Sequence, residues 1–461
     1  MSATLAAERF NDARPASMPD RALLVWLFLV ALSARVVLLY ATEPILTNDA
    51  VGFGGPSFVA LSYRELAMSI FNWNFAGDLG TRSPGYPALV ALCFRLFGID
   101  NWGAVVAVQS LMAIVAFFAA YWLWRQIYGP SRAAVFATAT AVLEPALLLS
   151  ERGTESEPLS VTMLIMSLPL LVHAARRVSP AAATGSGLCL ALLALTRPAF
   201  QFLIPLFALY LALRLGVRLR TRAGAAALAL LVLAAGLPVA AWDGFNLARF
   251  GYFTPMTTQG FILTSHSAPI ASEAPNRYPQ YADVEDIMER HKRPDGMAVW
   301  VAYPEIMQRR NLSFVQASRL MQDFSIAVFR DRPVAFAKSV QKAFMRFWEA
   351  NIPTAQEHWY DKVSFLLFNK LYQIVVGLGV LLYFAVAAFD ALRIKRWLRP
   401  GVLERLLILA IVMVVCLAST IPIAVDNSRY KLPLLPLMWG VVAASLASNW
   451  ASIRAFVARW R

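Results

Sequence analysis

The stretch Ser83-Pro-Gly-Tyr-Pro-Ala-Leu-Val-Ala-Leu-Cys-Phe-Arg-Leu-Phe-Gly98 decides how the rest of the chain is arranged. It is apolar for about 16 residues and interrupted by Arg95, whereas a helix needs about 20 apolar residues to cross a hydrocarbon core of ~30 Å. Whether it crosses fixes the side of every later loop, and basic residues collect on the cytoplasmic side. With this stretch kept out of the membrane and the N-terminus inside, the short inner segments hold 19 Lys and Arg. They include Arg9, Arg14, Arg21, Arg125, Arg132, Arg176, Arg177, Arg214, Arg218, Arg220, Arg222 and the run from Arg393 to Arg405. The short outer segments hold 7: Arg64, Arg82, Arg95, Arg152, Arg197, Arg429 and Lys431. A crossing at 83–98 would roughly invert that bias. The stretch therefore reads as a juxtamembrane or re-entrant helix.

Outward from it the chain is built of spans. Of 461 residues, 59% are hydrophobic and 15% charged, against about a quarter charged in soluble domains, which excludes an ordinary globular enzyme. Spans read at about 22–41, 102–123, 133–150, 158–174, 181–196, 199–213, 223–242, 364–390, 402–425 and 432–450, ten in all. The first is a full-length run, so an uncleaved anchor is expected rather than a signal peptide. The net charge of +14 lies beside the spans, and no basic stripe with interleaved aromatics points to nucleic acid. Cys93, Cys189 and Cys416 sit in apolar segments at unrelated spacings, which excludes a disulfide framework or a zinc knuckle.

Two large segments then fall on the outer face. In 42–101, Val59, Tyr63, Leu66 and Ile70 share one face of a helix expected over Ser57 to Asn72, as suits a helix lying in the interface plane. Residues 243–363 have ordinary polar composition and read as a helical extracytoplasmic subdomain, with helices at Asp283–Lys292, Val301–Arg330 and Pro333–Ala350. The expected organisation is an N-terminal transmembrane catalytic module at 1–242 including the loop 42–101, the subdomain 243–363, and a C-terminal transmembrane module at 364–461.

Most spans lack acids, which counts against ion-coupled transport. Polar residues gather instead at the outer edge: Asn48, Asp49, Arg82, Tyr86, Glu151, Arg152, Glu155, Glu157, Arg197, Asp243, Asn246, Arg249, Asp426, Arg429, Tyr430 and Lys431. Carboxylates and arginines at that depth suit chemistry on a lipid headgroup. Arginines hold phosphate by paired charge-assisted hydrogen bonds, and a carboxylate deprotonates an incoming hydroxyl.

Arg82-Ser-Pro-Gly-Tyr-Pro87 followed by Leu96-Phe-Gly98 resembles the "R-x-P-G-Y-P … L-F-G" signature of polytopic glycosyltransferases with the GT-C fold. The similar branch includes protein O-mannosyltransferases, the lipid A aminoarabinose transferase and bacterial arabinosyltransferases. The resemblance continues in order through Gln109, Glu157-Pro158, Leu195-Thr-Arg-Pro198, Asn246 to Gly251, and Ser428-Arg-Tyr-Lys-Leu-Pro433. It implies an all-α bundle of about ten transmembrane helices, a sugar donor carried on polyprenyl phosphate, outer-face transfer with inversion, and no divalent metal or other cofactor. The implied acceptor is an envelope glycan, a lipid or a protein, and the expected location a bacterial inner membrane with the site on the periplasmic side.

The resemblance also assigns roles. The family's base is an acid in the first outer loop, for which Asp49 is the best match. The family places it about four residues before the Tyr of "Y-x-x-L-A", whereas Tyr63 here comes fourteen later and Val59 stands in the expected place. Asp78 is the reserve candidate and Glu157 the second acid. Arg82, Arg197, Arg429 and Lys431 are candidates to hold the donor phosphate, where fixed cations stabilise the charge that develops on the leaving group. Tyr63, Tyr86, Glu155, Asn246, His266 and Tyr430 are candidates for substrate contact. Glu144-Pro145 has no assignment; its carboxyl suits donor hydroxyls or a pair with Arg152. The alternatives are a lipid-linked glycan flippase, which would call for Gly/Pro-broken spans in two matched halves, a ligase or polymerase using pyrophosphate-linked glycans, and a non-catalytic scaffold.

Overall fold

The computed structural model describes residues 18–41, 44–47, 62–74, 79–274, 277–292, 298–349, 362–392, 401–424 and 427–458. The membrane region contains α1 (Met18–Ala41), α4 (Trp102–Tyr128), α5 (Arg132–Val142), α6 (Pro145–Ser150), α7 (Glu157–Arg177), α8 (Pro180–Thr196), α9 (Leu203–Leu215) and α10 (Arg222–Phe250), then α16 (Lys362–Ala391), α17 (Val402–Thr420) and α18 (Leu435–Ala458). The first outer segment holds α2 (Tyr63–Phe71) and α3 (Gly85–Phe97). The outer subdomain holds α11 (Gln259–Ser272), α12 (Ala282–Arg290), α13 (Val299–Arg310), α14 (Phe314–Asp331) and α15 (Pro333–Phe347). Among the described residues, eight helices are long and apolar enough to cross a membrane. Large side chains such as Trp26, Val37, Leu381 and Leu382 stand exposed on their outsides, where lipid meets them.

Two of the ten expected spans are not among the eight. The run 181–196 forms the 17-residue α8, as long as expected, and 133–150 is broken in two. The break is at Glu144-Pro145. Glu144 caps α6 by accepting from Leu147 N at 2.8 Å, and Pro145 occupies the first turn, where its missing N–H costs nothing. The other Glu144 oxygen accepts the Tyr372 hydroxyl from α16. In the subdomain, the single helix expected over Val301–Arg330 is likewise two, because Asn311 takes a left-handed conformation (φ 51°) and Ser313 starts α14 with a capping box to Gln316. Of the interfacial helix expected over Ser57 to Asn72, α2 covers Tyr63–Phe71, begun by Ser62 accepting from Glu65 N.

The helix ends sort by charge. At one end, buried Glu404 on α17 accepts from Tyr210 at 3.1 Å and pairs with Arg214 at 3.1 Å, with Arg176 at 3.9 Å. Arg405 holds Asp390 there by two bonds of 2.5 and 2.8 Å. These are the arginines whose placement fixed the inner side. The opposite ends of the same helices carry the outer-edge residues.

The outer subdomain closes over those ends. Phe261, Ala302, Ile306, Ala317, Met321 and Phe324 make its own core. His266 on α11 joins it to the bundle: its Nδ1 is 2.7 Å from Ser339 Oγ on α15 and its Nε2 3.2 Å from the Thr420 carbonyl ending α17. Gly251 closes α10 in a left-handed conformation (φ 67°), a conformation that favours glycine.

Candidate active site

The stretch that decided the topology also builds the site. Pro84 sits at the N-cap of α3, with Gly85, Tyr86 and Pro87 in its first turn. A Cβ on Gly85 would lie 2.5 Å from Thr196 Oγ1 and 2.9 Å from the Leu195 carbonyl oxygen. Only glycine allows α3 to press on the end of α8, one residue before Arg197. Tyr86 is fully buried and donates its hydroxyl to Gln109 Oε1 at 2.8 Å. Gln109 in turn donates to the carbonyls of Glu151 and Gly153, at 3.0 and 2.9 Å. Burial holds the Tyr86 phenol well above its ordinary range, so it remains a neutral donor. The α3 start, α4 and the strap leading into α7 are thereby one unit.

At the head of α7, Glu157 is wholly buried, and its Oε1 serves two cations. Arg197 Nη2 donates to it at 2.6 Å, and Arg429 Nε at 2.9 Å. Arg197 Nε donates to Ser156 Oγ at 3.2 Å, and its guanidinium lies over the Tyr430 ring, 4.5 Å from the centroid. Arg197 is itself 6% exposed, and its Nη1 has no hydrogen-bond partner among the described residues. One carboxylate oxygen thus serves two guanidinium groups, and Arg197 keeps a buried donor that an anion would complete.

Arg82 stands over the Tyr63 ring at 4.8 Å, and Tyr63 meets Tyr86 edge-on, with centroids 4.8 Å apart. After burial and Tyr63, the carboxylates of Glu155 and Glu157 raise the Tyr86 phenol further. Ser156, the serine of the S-E-P segment that the resemblance includes, had no expected role; its bond to Arg197 gives it one. The structure sets the remaining candidates apart. Lys431 is 2% exposed and donates to the Glu349 carbonyl. His266 bridges the subdomain and α17, as described. Asn246, fully buried, donates to the Thr254 carbonyl at 2.7 Å. The carboxylates Asp49 and Asp78 lie outside the described residues.

The unassigned acids resolve differently. Glu151 pairs with Arg35 of α1 at 2.6 Å, both buried, so Arg35 is the clamp that holds α1 to the bundle. Residues 44–47 run beside 152–154: Ile45 N donates to the Arg152 carbonyl at 2.9 Å, Thr154 N to the Ile45 carbonyl at 3.0 Å, and Thr47 N to Thr154 Oγ1 at 3.1 Å. The start of the first outer loop is thus tied to the strap that leads into Glu157.

Comparison with known proteins agrees with this frame. Residues 81–242 match the family model described as dolichyl-phosphate-mannose-protein mannosyltransferase. The match starts at the Arg82 segment and takes in Gln109, Glu157 and Arg197. No curated protein matches the sequence. Among solved structures, the chain resembles the archaeal oligosaccharyltransferase AglB from Archaeoglobus fulgidus, solved with an inhibitory peptide and a dolichol-phosphate. That likeness has a TM-score of 0.50 at 13% identity over 96% of this chain and 51% of that one. ArnT from Cupriavidus metallidurans bound to undecaprenyl phosphate is matched at 15% identity, over 92% of this chain and 78% of that one, with a TM-score of 0.35. The chain spans about half the length of the oligosaccharyltransferase. It is a multi-pass membrane protein with the GT-C glycosyltransferase fold, and its segment 81–242 matches a glycosyltransferase family model.

Proposed function

We propose that the protein transfers a sugar from a polyprenyl-phosphate donor to an envelope glycan, lipid or protein acceptor, on the periplasmic face of a bacterial inner membrane. The observation that carries this reading is the single buried carboxylate of Glu157 shared between Arg197 and Arg429, with Arg197 Nη1 left as a donor. A phosphodiester oxygen is the complement of that site. The archaeal structure of the same fold was solved with a dolichol-phosphate, which supports a lipid phosphate as the anion.

In this reading the anomeric carbon is attacked by an acceptor hydroxyl as its bond to the phosphate oxygen breaks. The bond electrons pass to the phosphate, and Arg197, Arg429 and Arg82 stabilise the charge that builds there. Ser156 and the Tyr430 ring fix the Arg197 plane, so the donors need not reorganise during the step. A carboxylate takes the proton of the attacking hydroxyl, and attack opposite the leaving phosphate inverts the anomeric centre. Asp49 is favoured as that base. Thr47, two residues before it in the chain, is hydrogen-bonded to Thr154. The cations are guanidinium groups, so the reading requires no divalent metal.

The test is incorporation of label from radiolabelled polyprenyl-phosphate sugars by purified protein, with membrane extract as the acceptor source. Transfer from one donor supports the reading. Donor that crosses a proteoliposome membrane without any transfer replaces it with a flippase.

A further inference from the structure

Beyond the arginine pair, a second set of polar groups stands incomplete. Thr81 Oγ1, Ser83 Oγ, Asp243 Oδ1, Asn246 Oδ1 and Thr257 Oγ1 are buried and have no hydrogen-bond partner among the described residues. None of the five residues is more than 6% exposed. They belong to one junction, where the segment 79–83 meets the outer end of α10 and the turn at 254–258. Thr257 N donates to the Gly80 carbonyl at 2.7 Å, and Thr258 Oγ1 to the Thr81 carbonyl at 2.9 Å. Asn246 Oδ1 lies 2.7 Å from where a Cβ on Gly80 would be. Asp243 precedes Asn246 by three residues on α10 and so shares its face.

Folded proteins leave few buried polar atoms unpaired, because each forfeits its hydration without return. Five at one junction mark a place completed from outside the chain. The chemistry of the set narrows what completes it. A carboxylate and an amide oxygen only accept, while three hydroxyls can both donate and accept. A bare cation would satisfy acceptors alone, and hard-cation sites gather several carboxylates, where this one has a single acid. Sugar hydroxyls supply donors and acceptors together. Arg82, between Thr81 and Ser83, lies over the Tyr63 ring, so this set adjoins in the chain one of the arginines proposed to meet the leaving phosphate.

We infer that Thr81, Ser83, Asp243, Asn246 and Thr257 form a subsite for the hydroxyls of the lipid-linked sugar. The subsite rests on the polyprenyl-phosphate reading and adds to it the part of the molecule that tells one donor from another.

The experiment measures binding of undecaprenyl phosphate, with and without an attached hexose or pentose, to the purified full chain and its variants. The wild type binds one sugar-linked lipid more tightly than the sugar-free lipid. Asp243→Asn and Thr257→Val each weaken that lipid about tenfold, the effect of one lost hydrogen bond to a substrate hydroxyl, and leave the sugar-free lipid unchanged. Ser83→Ala, the smallest change, serves if either variant unfolds early in a thermal scan. Variants that weaken both lipids equally, or neither, overturn the subsite and leave ordered water as its occupant. A wild type that binds the sugar-free lipid but prefers no sugar overturns the subsite alone. Binding of neither lipid overturns the polyprenyl-phosphate reading and the subsite with it.

Discussion

Glu157 Oε1 lies 2.6 Å from Arg197 Nη2, in a pair that joins the first residue of one span to the residue that ends another. Arg429 reaches the same oxygen from a third span. Glu157 joins one buried guanidinium group, Arg197, to a half-buried one, Arg429.

Glu157→Gln therefore has two expected consequences. Removing one member of the buried Arg197–Glu157 pair leaves the Arg197 charge uncompensated there and costs about 3 kcal/mol, read as a lower unfolding temperature in detergent. Sugar transfer is lost as well, because Arg197 and Arg429 are no longer held together. An unchanged unfolding temperature would mean that the shared carboxylate does not hold the three helices.

The close contact of α3 on α8 gives a second prediction. Gly85→Ala places a methyl carbon 2.5 Å from Thr196 Oγ1 and 2.9 Å from a backbone carbonyl. Overpacking of that kind costs about 1–3 kcal/mol and displaces the residue before Arg197. Gly103→Ala, whose Cβ would meet only Asn101 at 3.5 Å, should be silent in the same assays. Equal behaviour of the two variants would remove the steric reason for glycine at position 85.

The third prediction concerns pH. Burial lowers the His266 imidazole to about 4, from an ordinary value of 6.5. Between those values the unfolded chain binds a proton that the folded chain does not, so stability falls as pH falls. The contribution is intact above pH 6.5 and is lost progressively toward pH 4. A shift of that size corresponds to about 3 kcal/mol. Hydrogen exchange in α11 and α15 should therefore rise in that window, and His266→Asn should flatten the pH dependence. Exchange that does not change between pH 6.5 and 4.5 would contradict a neutral His266 at this joint.

The tie between Thr47 and Thr154 supplies a fourth. Thr154→Val removes the hydroxyl that accepts from Thr47 N and donates to the Ile45 carbonyl. The expected loss of stability is about 1 kcal/mol. The expected fall in kcat is larger than that loss explains, because Thr47, two residues before Asp49, loses one of its bonds to Thr154 and keeps its hydroxyl bond to the Thr154 carbonyl. A fall in stability with unchanged kcat would shift the role of base toward Asp78.

Much of this frame was legible in the sequence, for reasons that can be named. The asymmetry of Arg and Lys assigned the outer edge, and motif resemblance selected Arg82, Glu157, Arg197 and Arg429. Partnership was not legible. Arg197 is 40 residues from Glu157 and Arg429 is 272 away, and local periodicity says nothing about which helix ends meet. Lys431, two residues after Arg429, has the same charge and the opposite fate, because two residues along a 3-10 helix turn the side chain by about 240°, toward Glu349. The break at Glu144-Pro145 carried a helix-start signal, but it lies within a run apolar enough to read as continuous. The hydroxyls of Thr81, Ser83 and Thr257 gave no signal, since isolated Ser and Thr in loops are common and only their unpaired burial distinguishes these.

The central claim is that a lipid-linked sugar is transferred at the Glu157–Arg197–Arg429 cluster. The most direct measurement is single-turnover transfer from the accepted polyprenyl-phosphate sugar by the wild type, Arg197→Gln and Asp49→Asn, with the anomeric configuration of the product read by NMR. The wild type is expected to give an inverted product, and Arg197→Gln a rate at least about 100-fold lower, the scale of losing one preorganised donor to developing negative charge. No measurable transfer is expected in Asp49→Asn. Wild-type rates in Arg197→Gln, or a product that retains the donor's configuration, would contradict the central claim.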